Sequence, residues 1–164
     1  MPRFQSRVKR TRGGGYQLRL PREERELLRT LPGQLREVLG SDDPALARLS
    51  PPAYEDDPVR SHEFAELVGD DLAASRRRSL DLMEATIDAE RLDEEQLTAW
   101  LGALNDLRLV LGTRLDVTEE MYERPPATDD PNAHAFALFV YLGWLQEQVV
   151  AALAGDLDPR GTEG

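Results

Sequence analysis

The segment His62-Glu63-Phe64-Ala65-Glu66 comes nearest to a chemical motif. It resembles the His-Glu-x-x-His pattern, in which two histidines one helical turn apart hold zinc and the glutamate acts as general base. Here Glu66 stands where the second histidine belongs, and the one other histidine is His134. A carboxylate can ligate zinc, but a third ligand and a base would still have to come from elsewhere. An acidic first turn of a helix accounts for the same residues. A metal-dependent hydrolase around His62 is therefore the weakest of the functional readings, and neither metal nor cofactor is expected.

The remaining motifs point away from catalysis. Asp42-Asp43, Asp56-Asp57, Asp70-Asp71 and Asp129-Asp130 are adjacent carboxylates. Neighbours on a helix diverge by about 100°, so such pairs seldom share a site, and none has EF-hand spacing. Gly13-Gly14-Gly15 lacks the Gly-Lys-Ser/Thr ending of a phosphate loop. No serine lies in a Gly-x-Ser-x-Gly elbow. The chain has no cysteine, which excludes disulfides, thiolate zinc sites and thiol nucleophiles. No enzyme is expected.

Charge points instead to binding. The net charge is −11, but residues 1–29 hold nine Arg or Lys against three Glu, a local +6. The remainder carries −17, from eleven Arg and 28 Asp or Glu. Arg3, Arg7, Lys9, Arg10 and Arg12 form the densest part of this basic arm. They could contact phosphates or an acidic partner, or serve as a charged edge strand that resists aggregation. Asn105, Asp106 and Arg108 interrupt an otherwise apolar helix and imply either a polar network across helices or a partner site.

The elements that would position these groups are legible in the pattern. FQSRV (4–8) and YQLRL (16–20) alternate with period two, with Tyr16, Leu18 and Leu20 on one face, which predicts a β-hairpin over about 3–20. Thr11–Gly15 supplies its turn. Leu27, Leu28, Leu31, Leu35, Val38 and Leu39 predict helix, broken by Pro32-Gly33 into two short helices or one kinked one. Residues 41–58, with five acids and four prolines, read as a loop with one helical turn at 44–49. Asp43-Pro44, Asp57-Pro58 and Asp130-Pro131 each suit a helix start.

A stripe of Phe64, Leu67, Val68, Leu72, Leu80, Met83 and Ile87 predicts a helix from Val59, with Arg76, Arg77 and Arg78 on its solvated face. Asp93-Glu94-Glu95-Gln96 reads as a capping box. Leu97, Trp100, Leu101, Leu104, Leu107, Leu111 and Leu115 follow it, and Leu109 and Val110 add a second apolar side, so this helix should be central. Residues 123–131 read as loop. The last helix, about 131–154, should turn Phe136, Val140, Tyr141, Trp144, Leu145, Val149 and Leu153 inward. No 18-residue apolar run suggests a membrane span, no signal-like stretch opens the chain, and the default location is cytoplasmic. The fold class expected is mainly α: a bundle of about five helices with a small N-terminal hairpin, one domain over residues 1–155 and a tail at 156–164.

The stretch Ala99-Trp100-Leu101-Gly102-Ala103-Leu104-Asn105-Asp106-Leu107-Arg108-Leu109-Val110-Leu111-Gly112 resembles the central helix of the actinobacterial AosR family, long catalogued as a domain of unknown function. Tyr141-Leu142-Gly143-Trp144-Leu145-Gln146-Glu147 is similar to that family's closing helix, and the basic hairpin followed by a leucine-rich helix matches in style. The resemblance covers nearly the whole chain and is most specific over Trp100–Gly112. It implies an intracellular regulator tied to the transcriptional response to oxidants and to sulfur metabolism. It carries over Trp100, Asn105, Asp106, Arg108, Gly112 and Trp144 as family-type positions without catalytic roles. Members read as redox sensors switch through a cysteine pair, which this chain lacks.

Three roles follow as expectations. The first is a non-enzymatic regulator acting through a protein partner, with the transcription machinery as candidate. The second is direct DNA binding through the hairpin. The third is the hydrolase at His62. No membrane partner is expected, and a homodimer is an open option if the central helix has more apolar surface than 164 residues can cover.

Overall fold

The computed structural model describes residues 6–41 and 58–155, the side chains of Pro58 and of residues 60–71 excepted. The chain folds as a mainly helical protein with a small antiparallel sheet. Strand β1 (Val8–Arg10) and strand β2 (Tyr16–Leu18) are followed by helix α1 (Arg22–Leu39) and helix α2 (Pro58–Ala85). Then come strand β3 (Arg91–Leu92), helix α3 (Glu94–Leu115), short helix α4 (Glu119–Glu123) and helix α5 (Ala133–Ala154).

The hairpin forms as its alternation predicts, but its ladder lies nearer the turn than 4–8, pairing Val8 with Leu18 and Arg10 with Tyr16. Thr11 N–H donates to the Gly15 carbonyl at 2.8 Å, and Gly14 takes φ 88°, the left-handed conformation that glycine tolerates. Phe4 and Arg3 lie outside the described residues. β3 has no counterpart in the sequence reading. Two residues are too few to show a period, and Arg91-Leu92 pairs with Gln17-Tyr16 only because α2 ends beside the hairpin. Val8, Tyr16, Leu18 and Leu92 are buried on the sheet's inner face.

α1 is one helix, not two. Pro32 is buried within it, and Leu28, Leu31, Leu35 and Val38 form its inward stripe. A proline removes one helical hydrogen bond, and here the flanking leucines hold the turns together by burial. Gly40 N–H closes the helix on the Arg36 carbonyl. The turn expected at 44–49, like the Asp43-Pro44 start, lies outside the described residues.

α3 is the central helix. The Asp93 side chain accepts from Gln96 N–H at 2.7 Å while the Gln96 side chain accepts from Asp93 N–H at 2.9 Å, the reciprocal capping box the sequence implies. Leu97, Trp100, Ala103, Leu104, Leu107 and Val110 are buried against α2, α5 and α1. Asp116, in the left-handed conformation at φ 50°, ends the helix. α4 is only five residues long and overlaps the loop predicted for 123–131 at Glu123.

α5 begins at Ala133, two residues later than expected, because Asp130 Oδ1 first accepts from Asn132 N–H in a turn. Its buried residues are Phe136, Phe139, Leu142, Leu145, Val149 and Ala152. Val140, expected inside, is 42% exposed, and Tyr141, Trp144 and Leu153 are half-buried. The helix is rotated so that Phe139 and Leu142 meet α3, which a single-face reading of an all-round apolar helix does not resolve. Likewise Leu72 of α2 is exposed, whereas Leu80, Met83 and Ile87 are buried. By length and hydropathy α5 is also long and apolar enough to cross a membrane, against the sequence reading of no such run.

Candidate functional site

Two polar assemblies flank α5. The first joins the hairpin to α1 and α5. Arg7 precedes β1 and is half-buried, where Lys9 and Arg10 are exposed. Its Nη2 lies 2.8 Å from Glu24 Oε2 and its Nε 3.0 Å from Oε1, a two-point contact with a carboxylate in the first turns of α1. Tyr141 Oη donates to the same Oε1 at 2.7 Å. The Arg7 guanidinium lies 5.1 Å from the Trp144 ring centre, in cation–π range, and Arg7 N–H donates to Gln148 Oε1.

Each charge has a partner, which sets the titration of the group. The bond to Glu24 holds the Arg7 guanidinium above its ordinary value despite burial. Burial, reinforced by the bond to Glu24, pushes the Tyr141 phenol well above its ordinary value. The cluster floors an open, largely apolar groove of about 520 Å³ with Ala137 and Val140 on its wall.

The second assembly lies between α3 and α5. Arg108 Nη1 donates to Gln146 Oε1 at 3.0 Å, and Gln146 Nε2 lies 3.4 Å from Asn105 Oδ1. The guanidinium sits 5.3 Å from the Phe139 ring centre. Its Nε is shielded from solvent without an acceptor. Gly143 lets α5 pass: a Cβ there would lie 3.3 Å from that Nε. A Cβ at Gly112 would lie 3.0 Å from Phe139 Cε2. Asn105, Arg108, Gly112, Thr113, Asp116 and Phe139 line a cavity of about 320 Å³.

The residues singled out in the sequence thus separate into distinct environments. Asn105, Arg108 and Gly112 share the α3–α5 cavity, and Trp144 belongs to the Arg7 cluster. Asp106 turns the other way, to α2, where Arg76 Nε is 3.7 Å from its Oδ2. Burial raises the Asp106 carboxyl above its ordinary range, and Arg76 offsets this only in part. Trp100 is fully buried, its indole N–H donating to Thr86 Oγ1 at 2.7 Å. Lys9, Arg10 and Arg12 are exposed residues of the hairpin. The side chains of His62, Glu63 and Glu66 lie outside the described residues, and among those described no group of three His, Asp or Glu is placed to hold a metal ion.

Glu24, Tyr141, Gly143 and Gln146 escaped the sequence reading as site residues. Glu24 belongs to no motif in the sequence and Tyr141 reads as core; their meeting depends on how the hairpin folds back, which no local pattern encodes.

The polar positions that mark α3 are therefore held by contacts to α2 and α5. A family model described as Domain of unknown function (DUF2017) matches residues 1–153. The chain belongs to the DUF2017 family. Over 131 residues it is 33% identical to the Oxidative stress regulator AosR of Mycobacterium tuberculosis (strain ATCC 25618 / H37Rv), covering 69% of this chain and 59% of that protein. The Oxidative stress regulator AosR of Mycobacterium bovis matches to the same extent. The Putative oxidative stress regulator AosR of Mycobacterium leprae is 34% identical over 130 residues, 68% of this chain and 59% of its own. The chain thus spans about three-fifths of the length of these relatives. No solved structure matches it. The DUF2017 assignment agrees with the resemblance carried by Trp100–Gly112.

Proposed function

We propose that this DUF2017 chain is a non-enzymatic, cytoplasmic regulator of a stress response, built as one domain over residues 1–155, that acts by binding another protein. The similarity to relatives named oxidative stress regulators carries this reading. The groove over Arg7, Glu24, Tyr141 and Trp144 supports it. Its floor is a closed set of charge pairs and its walls are apolar, with Val140 42% exposed. Paired polar groups below an apolar rim suit the docking of a protein surface. Because the chain has no cysteine, an oxidant signal would reach it by a route other than its own thiols.

The test is capture from an actinobacterial lysate, comparing the wild type with Val140→Asp, which places a charge on the groove wall. Recovery of RNA polymerase or a sigma factor by the wild type and its loss in the variant is the expected result. Equal recovery by both would remove the groove from the reading, and background alone would end the transcriptional one.

The exposed cations Lys9, Arg10, Arg12 and Arg19 favour DNA binding as a second reading. It requires affinity that falls steeply with salt. Changing Lys9, Arg10 and Arg12 to Glu leaves the Arg7–Glu24 pair intact. Unchanged anisotropy of labelled duplex DNA in that triple variant would remove this reading.

A further inference from the structure

We propose that the α3–α5 cavity is a binding site for a small ligand bearing a single carboxylate, with Arg108 as its anchor. Arg108 is a cation set part-way into the fold, yet among the described residues no carboxylate pairs with it. Its one hydrogen bond goes to a neutral amide, Gln146 Oε1 at 3.0 Å. Its Nε is enclosed without an acceptor. A shielded donor left unmade is costly, and a charged one more so. Every other guanidinium described in detail at the helix interfaces differs. Arg7, Arg29 and Arg36 meet carboxylates, and Arg25 meets four carbonyls.

The surroundings are those of a recess and not of a packed seam. Gly112 lines the cavity and lets Phe139 come close, and Gly143 lets the α5 backbone pass beside the guanidinium. The volume, about 320 Å³, lies at the small end of ligand sites. Phe139, Leu109 and Val117 offer an apolar wall, and the exposed Asn105 places an amide at the rim. A carboxylate entering there would meet the Arg108 fork, which can give it two parallel hydrogen bonds once the guanidinium turns toward the cavity.

Asp116, which caps the carbonyl end of α3, also lines the cavity. Negative charge there disfavours a polyanion. It admits a monocarboxylate, or a zwitterion whose ammonium turns toward Asp116. This site is separate from the Arg7 groove, so the inference does not rest on the protein-binding reading and can fail without it.

The experiment is a nitrogen–proton NMR titration of the full chain with sodium propionate, referenced to sodium chloride at equal ionic strength. A saturable shift of the Arg108 Nε–H resonance and of the Asn105 side-chain amide is expected, absent with chloride. Arg108→Met should weaken it about tenfold or more, the scale of one charge-assisted hydrogen bond. Because Arg108→Met also removes the guanidinium that packs on Phe139, Asn105→Ala, at an exposed position, serves as the second variant and should weaken binding with an unchanged backbone spectrum. Shifts identical to those in chloride, or propionate shifts unaffected by both variants, would overturn the proposal. Citrate perturbing the same resonances at lower concentration than propionate would overturn the assignment to a monocarboxylate.

Discussion

The Arg25 Nη1 donates to the Ile87 carbonyl at 2.7 Å, which ties the first turn of α1 to the turn that follows α2, 62 residues away. The same side chain donates to the carbonyls of Leu18, Leu20 and Ala89. One guanidinium thus satisfies the end of β2, the entry to α1 and the approach to β3, which explains why a two-residue strand can hold its place in the sheet.

Arg25→Met should therefore destabilise the fold while keeping much of the side chain's volume. Hydrogen bonds to a charged group contribute roughly 1.5–3 kcal/mol net, and a loss of about 2–3 kcal/mol in urea unfolding is expected. Amide exchange at Leu18, whose N–H donates to the Glu90 carbonyl at 2.8 Å, should speed up more than exchange in α3. A variant within about 0.5 kcal/mol of wild type, the usual range of surface changes, would show that the sheet holds without this clamp.

Tyr141 supplies a pH-dependent prediction. Burial and the bond to Glu24 raise the phenol's folded value, while the unfolded value stays near 10. The neutral phenol is the form the fold favours. Its contribution is fully present below the unfolded value and is lost as pH rises past about 10 toward the folded value. Wild type should therefore lose stability more steeply than Tyr141→Phe above pH 10, and at pH 7 the variant should be about 1 kcal/mol less stable from the missing bond. Parallel stability curves for the two proteins above pH 10 would refute this.

The parts of the fold that sequence made legible are those governed by local rules. The capping box at Asp93 and Gln96 depends on residues three apart, and the hairpin on alternation around three glycines. The helical stripes of α1 and α3 depend on 3.6-residue recurrence. What was hidden depends on distant partners. β3 is strand only because Tyr16 and Gln17 lie beside it. Arg7 reads like Lys9 and Arg10 in sequence, yet Glu24 and Trp144 draw it inward. α5 is apolar on nearly all sides, so its pattern could not select between Val140 and Phe139 as the inward residue; the close approach to α3 at Gly112 and Gly143 makes that choice. Asn105, Asp106 and Arg108 announced polar contacts without announcing that Asp106 faces α2 while the other two face α5.

Asp106 offers a test in which neutralisation should help. Burial raises its carboxyl above the ordinary range, with Arg76 at 3.7 Å opposing the rise only in part. The protonated form is thus the one the fold prefers. The associated stability is complete below the unfolded value, near 3.9, and is lost as pH rises through the folded one. Asp106→Asn holds the neutral state at every pH and should be more stable than wild type at pH 7, with the advantage shrinking toward pH 3. A less stable variant at pH 7 would mean that the Arg76 pair outweighs the cost of burial.

Two helical glycines separate backbone preference from packing. Replacing glycine by alanine within a helix ordinarily gains about 0.5–1 kcal/mol. At Gly33, in α1, an added Cβ meets nothing within 4 Å, so Gly33→Ala should show that gain in full. At Gly112 the added Cβ would lie 3.0 Å from Phe139 Cε2. Phe139 is buried and cannot yield without moving from the α3–α5 contact. Overpacking of this kind costs about 1–3 kcal/mol, enough to cancel or reverse the helical gain. Gly112→Ala should be neutral or less stable in thermal unfolding where Gly33→Ala is more stable. Equal gains at both positions would show that α3 and α5 can separate freely, and that the glycine is not what sets their approach.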